Sequence, residues 1–187
     1  MIGTDAQGEF KIIFTGPMGA GKTTAIAAIS EITPIQTEAH NTDLISHAKA
    51  STTVGFDYGR ITLASGQVVR LYGTPGQARY RFMWDILGRG AAGAIVLIDA
   101  QQPGALVQMD SFVDAFTPLV PPGAIVIGVG RTGEEGALSS DAFAARLQAR
   151  GIVAPVLSID AREAADVRLM VQTLACVLAA GDEAGAA

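Results

Sequence analysis

Residues 16–23 read Gly16-Pro17-Met18-Gly19-Ala20-Gly21-Lys22-Thr23, a full match to the spacing GxxxxGK[ST]. Upstream lies a β-type run, Glu9 to Thr15, and downstream a helical pattern, Lys22 to Ser30. A glycine-rich turn in that position lets successive backbone N–H groups converge on one phosphate, with the positive end of the following helix behind them. Gly16, Gly19, Ala20 and Gly21 supply the curl, Lys22 reaches the β- and γ-phosphates, the Thr23 hydroxyl is a magnesium ligand, and Thr24 continues the wall. A turn of this composition that binds nothing is the plainer reading, and eight matching positions between a strand and a helix argue against it.

Outward from this loop, short β-type runs alternate with helical patterns, which predicts an α/β domain with helices on both faces of a mostly parallel sheet. Strands are expected at Glu9–Thr15, Val54–Leu63, Val68–Tyr72, Ala94–Asp99, Ala124–Val129 and Val153–Ile159. The runs around Ile95, Ile125 and Val156 are near-continuously apolar, as in strands buried on both faces, and are assigned to the sheet centre. Only Ala64-Ser65-Gly66-Gln67 separates the second strand from the third, so that pair is antiparallel. Helices are expected at Lys22–Ser30, Phe82–Gly88, Leu106–Thr117, Ser139–Arg150 and Ala164–Ala180, with Gly181–Ala187 a fraying tail. The stretch Ile32–Thr52, which holds His40 and His47, has no clear period and reads as a functional loop.

Composition narrows the function. The chain has 187 residues, 49% hydrophobic and 17% charged, which fits one globular domain over residues 1–187 with its core at about 9–180. A net charge of -5 gives no basic stripe for nucleic acid, so any phosphate is held by local geometry. No apolar run is long enough to predict a transmembrane helix, Met1–Gly8 does not read as a signal peptide, and the single Cys176 lies inside a helical pattern. The expectation is a cytoplasmic protein without a direct membrane anchor.

Two further segments stand where a phosphate sensor is needed: Thr52-Thr53-Val54-Gly55-Phe56 and Gly73-Thr74-Pro75-Gly76-Gln77. With the phosphate loop, they resemble the Ras/Arf superfamily of P-loop GTPases, in particular the bacterial MglA-like group. Thr53-Val54-Gly55-Phe56 resembles the Thr-Ile-Gly-Phe of Arf switch I. Thr74-Pro75-Gly76-Gln77 resembles the Thr-Ala-Gly-Gln of Ras switch II and the Pro-Gly-Gln of the bacterial group. The resemblance implies a Ras-like G domain with a six-stranded mixed sheet, five strands parallel and one antiparallel edge. It implies a GTP/GDP-controlled molecular switch that hydrolyses GTP slowly, with Mg²⁺ as cofactor, a Roadblock-type regulator and effectors as partners. Thr53 would bind Mg²⁺ and the γ-phosphate, Gly76 would offer its N–H to that phosphate, and Gln77, with Lys22, would be catalytic by orienting water. Arg79 and Arg81 follow Gln77 and read as a partner-binding face. A small P-loop kinase is the rival, disfavoured because the second strand forms a hairpin instead of carrying an Asp-rich acceptor site.

The family pattern is broken twice. Where the third strand would end in a metal-binding aspartate stands Gly73, as in the MglA-like group, which predicts weak Mg²⁺ dependence of GDP binding; Asp57 and Asp99 are the acids that could serve instead. Where the guanine-reading Asn/Thr-Lys-x-Asp would follow the fifth strand, the chain has Gly130-Arg131-Thr132-Gly133 and then Glu134. Arg131 can stack on a base, but either Glu134 supplies the carboxylate or discrimination is poor, which favours a degenerate GTPase scaffold as the alternative. Ser158-Ile159-Asp160-Ala161-Arg162 resembles the Ser-Ala-Lys loop, with Ala161 at the position whose N–H meets guanine.

Overall fold

The computed structural model describes residues 9–40, 53–63 and 65–185; Thr52 and His47 lie outside them. In chain order the elements are β1 (Phe10–Thr15), α1 (Lys22–Ile29), β2 (Ile35–His40), β3 (Thr53–Thr62), β4 (Val68–Gly73), a 3₁₀ turn (Ala78–Tyr80), α2 (Arg81–Gly88), β5 (Gly93–Asp99), α3 (Ala105–Phe116), β6 (Ile125–Gly130), α4 (Ser140–Ala149), β7 (Val156–Ile159) and α5 (Ala164–Gly185). One sheet runs in the order β2-β3-β4-β1-β5-β6-β7. The strands β4, β1, β5, β6 and β7 are mutually parallel, while β3 runs antiparallel to both β4 and β2.

The α/β fold expected from the sequence is therefore the one observed, and the six strands read from it are all present. A seventh, Ile35–His40, lies inside the stretch assigned to a loop and pairs antiparallel with β3 from Ile35 opposite Tyr58 to His40 opposite Thr53. It displaces β3 from the sheet edge.

The expected hairpin closes through Leu63 N–H to Gln67 O and Gly66 N–H to Leu63 O, both 2.8 Å. Residues Gly93–Asp99 of β5 are buried throughout, as a strand flanked by two others and covered on both faces requires. The assignment of the Val156 run to the sheet centre is corrected: β7 is the outer strand beyond β6, Val156 and Leu157 are only half-buried, and Val153 is 90% exposed. An apolar run alone does not distinguish a central strand from an outer one that α4 and α5 pack against.

Helices α1 and α5 pack together on one face. On the other face Trp84 of α2 stacks against Phe112 and Phe116 of α3, with centroids 4.6 and 6.1 Å apart. The long α5 continues to Gly185, past the expected end at Ala180, because nothing after Gly181 breaks the backbone ladder. Its window Ala164–Gly181 is, by length and mean hydropathy (1.4), sufficient to cross a membrane. Here its Val167, Met170, Val171 and Leu174 are buried against the sheet, which is the ordinary reason for an apolar core helix.

Candidate functional site

The loop after β1 and the segments after β4, β6 and β7 that the sequence marks converge at the carboxyl ends of the parallel strands, the edge where α/β sheets place ligands. The loop between β1 and α1 forms the floor. Gly16 takes φ 137°, and a Cβ there would stand 2.1 Å from the Leu97 carbonyl oxygen of β5, so only glycine lets the chain leave the sheet at this point. Gly19 and Gly21 are left-handed (φ 82° and 93°), which turns the loop back on itself. Gly21 caps α1 with no side-chain hydrogen bond to the first helical N–H groups, leaving those donors for an anion.

Lys22 is buried, with Nζ 2.9 Å from Gly16 O and 2.7 Å from Pro17 O. Burial lowers its pKa to about 8, partly offset by attraction from the Asp57 carboxylate. Thr23 donates its hydroxyl to Asp57 Oδ2 at 2.6 Å. Lys22, Thr23, Thr24, Gly55, Asp57 and Gly76 line a cleft of about 480 Å³ together with Met18, Gly19, Gly21, Thr74 and Pro75.

The segment after β4 forms the opposing wall. Thr74 extends the sheet by donating its N–H to Phe14 O (2.9 Å), and its hydroxyl meets that of Thr15 at 2.8 Å. Trp84 Nε1 donates to Pro75 O at 2.7 Å and ties the segment to α2. Gly76 lies so close to the phosphate loop that a Cβ would be 2.4 Å from the Met18 nitrogen. Gln77 is the next residue, its Nε2 3.5 Å from Met18 Sδ. Arg79 lies over the Tyr80 ring (4.8 Å) and Arg81 over Trp84 (5.9 Å), so both guanidiniums engage aromatics of their own segment. Thr53 opens β3 opposite His40, two and four residues before Gly55 and Asp57 of the cleft.

Beyond Gly19–Gly21 the space continues as a second cleft of about 550 Å³, lined by the loops after β5, β6 and β7. Arg131 adopts φ 60° and pairs with buried Asp99 at 2.9 Å. Asp99 also accepts from Gln101 N (3.0 Å) and Gln102 Nε2 (3.2 Å). Of the two acids weighed for the metal, Asp99 is thus committed to orienting Arg131, and only Asp57 stands beside Thr23. Gly133 has open space around it, and Glu134 lines the same cleft, so a carboxylate is present one position later than the family pattern has it. Ala161 packs against the phosphate loop: a Cβ on Gly21 would be 2.8 Å from that of Ala161. Beside it Arg162 donates to Asp160 from its side chain and its backbone N–H, which holds the Asp160 carboxyl down at about 2.

The structure brings together Gly19, Gly21, Lys22, Thr23, Thr24 and Gly76 around the first cleft, with Gln77 beside Met18, and Ala20, Arg131 and Ala161 around the second; Gly16 stands behind the loop, where its carbonyl accepts from Lys22. Sequence reasoning left Asp57 at the margin. The signal was the alternation of β3, in which Gly55 and Asp57 fall on one face.

A GxxxxGK[ST] loop between β1 and α1 of this mixed sheet, with the Thr23 hydroxyl on the Asp57 carboxylate beside it, is that of a Ras-like P-loop nucleotide-binding protein. The chain belongs to the family described as conserved hypothetical ATP binding protein, whose model matches residues 14–116, more than half of its length. It is similar to the Ras-related protein RabC of Dictyostelium discoideum, 27% identical over 65% of this chain and 58% of the relative. It is similar also to the Ras-related protein RABA1b of Arabidopsis thaliana, 24% identical over 65% of this chain and 52% of the relative. A third relative is an uncharacterized protein, MJ1339, of Methanocaldococcus jannaschii, 28% identical over 50% of this chain and 53% of the relative. The chain spans a little over half the length of the curated relatives it matches.

Proposed function

We propose that the protein is a small GTPase, a switch controlled by exchange of GTP and GDP, with slow hydrolysis that a partner accelerates. The observation that carries this reading is the close approach of Gly76 to Met18, which makes the phosphate loop and the segment after β4 two walls of one cleft. A terminal phosphate seated on the loop is then within reach of both walls, and its loss is felt by the second. The Ras-related relatives support the same reading.

The residues divide the work by chemistry. Backbone N–H groups from Gly19 to Thr23 and the Lys22 ammonium hold the phosphates, and Thr23 and Thr53 would hold Mg²⁺. Bound there, the ion would neutralise charge on the phosphate oxygens. Gln77 orients a water whose oxygen attacks the γ-phosphorus as the bond to the bridging oxygen breaks, releasing GDP and inorganic phosphate. Arg79 and Arg81 are engaged on aromatics, so the charge of the transition state is met by Lys22, the backbone N–H groups and the bound ion, without an arginine from this segment. A supplied arginine accelerates such sites by about 10³ to 10⁵. The exposed Phe82 and Ile86 beside these arginines are where a Roadblock-type regulator or an effector, as in the MglA-like group, would dock.

Guanine is read by Arg131, Ala161 and Glu134. The description of the matching family and the absence of a side chain at Gly133 favour a second reading, in which an adenine nucleotide is accepted as well. Single-turnover hydrolysis with GTP and with ATP tests both readings: the first expects GDP to form from GTP at well below one turnover per second. Gln77→Leu should slow this step by about 10²-fold while leaving GDP affinity unchanged, since only water positioning is lost. Bound GTP that stays intact in the wild-type protein would leave a non-hydrolysing scaffold.

A further inference from the structure

The strand-end acid that Gly73 lacks has a neighbour in its place. Gly73 closes β4, and its direct partner across the antiparallel pair is Asp57 of β3. A Cβ on Gly73 would stand 2.9 Å from Asp57 Oδ2, 3.0 Å from Asp57 Cβ and 3.0 Å from Ile26 Cδ1. The Asp57 side chain fills the volume that a longer residue at 73 would need, and from there it accepts the Thr23 hydroxyl at 2.6 Å on the floor of the phosphate cleft.

We propose that Asp57 is the carboxylate of the magnesium site, moved one strand over, and that Gly73 is glycine because Asp57 needs its space. The inference rests on the reading of this cleft as a magnesium–nucleotide site. A hydroxyl has one proton and two lone pairs. By taking the Thr23 proton, Asp57 fixes the rotation of that hydroxyl and leaves both lone pairs of Oγ1 free to accept a cation. The same carboxylate supplies the negative oxygen that a hard divalent ion prefers, directly or through a water. No group of three or more metal-ligating side chains occurs among the described residues, so the remaining ligands come from phosphate and water, the usual condition of magnesium in phosphate sites. The weak magnesium dependence expected from Gly73 alone is thereby reversed.

The test follows release of fluorescent GDP from the purified protein across a Mg²⁺ titration and in EDTA, for the wild type, Asp57→Asn and Asp57→Ala. Chelation should speed GDP release from the wild type at least tenfold. Asp57→Asn, nearly isosteric, should move the Mg²⁺ midpoint upward about 10- to 100-fold. It should not weaken GDP binding in EDTA, which a merely structural role would weaken. Unchanged thermal melting of Asp57→Asn checks its fold, and Asp57→Ala should show the same midpoint shift. A wild-type midpoint in both variants overturns the proposal while leaving nucleotide binding intact; a wild-type protein that takes up no GDP overturns the proposal and the reading of the cleft together.

Discussion

Lys22 is held by two carbonyls of its own loop, and burial brings its pKa to about 8. Phosphate oxygens beside the ammonium stabilise the charged form and raise that pKa on binding. The free protein therefore takes up a proton when nucleotide binds: about half a proton at pH 8, approaching one near pH 9 and almost none at pH 6.5. Affinity should accordingly fall as pH rises above 8. Calorimetry in buffers of different ionisation enthalpy reads the uptake directly, and identical heats in all buffers at pH 8.5 would contradict it. Gly16 makes a sharper structural demand, since a methyl group there meets the Leu97 carbonyl at 2.1 Å in a left-handed backbone. Gly16→Ala should cost about 3 kcal/mol in a urea melt. At this scale the phosphate loop was fully legible, because its chemistry is written in consecutive residues. Asp57 was legible only as a candidate: its contact with Thr23 spans 34 positions and depends on which β3 residue faces Gly73.

Elements were legible to the degree that their own residues mark them. Helices α1 to α4 and the Gly-containing hairpin emerge within a residue or two of their expected bounds, while α5 starts as expected and runs past Ala180 to Gly185. In β2, Ile35, Thr37 and Ala39 alternate with Gln36, Glu38 and His40, but one strongly apolar residue does not mark a buried face. That strand exists because β3 offers it an open edge. The central position expected for β7 failed for the complementary reason: its apolar residues are explained by contact with α4 and α5, with no further strand beyond it. Docking of α5 depends on Leu174, which is fully buried and lies against Gly93 of β5. Leu174→Ala should cost about 2 to 5 kcal/mol in equilibrium unfolding. Helices α3 and α4 are clamped by Asp110, which accepts from Arg146 (2.9 and 2.7 Å) and Arg150 (2.7 Å). Burial works to raise the Asp110 pKa, but these hydrogen bonds outweigh it and hold the carboxyl below its ordinary value. A depressed folded-state pKa contributes stability above the unfolded value near 3.8, and this is lost as pH falls through the folded one. Asp110→Asn should thus be less stable than the wild type at pH 7, by at most about 1 kcal/mol, and the difference should vanish once acid protonates the carboxyl in the folded protein. A gap that persists in acid would place the effect in packing instead.

For the whole molecule, the sheet order β4-β1-β5-β6-β7 brings five loops to one edge, and that edge carries two joined clefts: one with Lys22, Thr23 and Asp57, the other with Arg131, Glu134 and Ala161. The division matches a nucleotide with phosphates in the first and base in the second. Both clefts serve a nucleotide only if the β1–α1 loop captures its phosphates. Equilibrium titration of the purified protein with fluorescent GDP in the presence of Mg²⁺ tests this capture most directly, with Lys22→Ala alongside. Saturable one-to-one binding at micromolar concentration or tighter, weakened at least tenfold in Lys22→Ala, is the result predicted; no binding, or equal binding by both proteins, would contradict it.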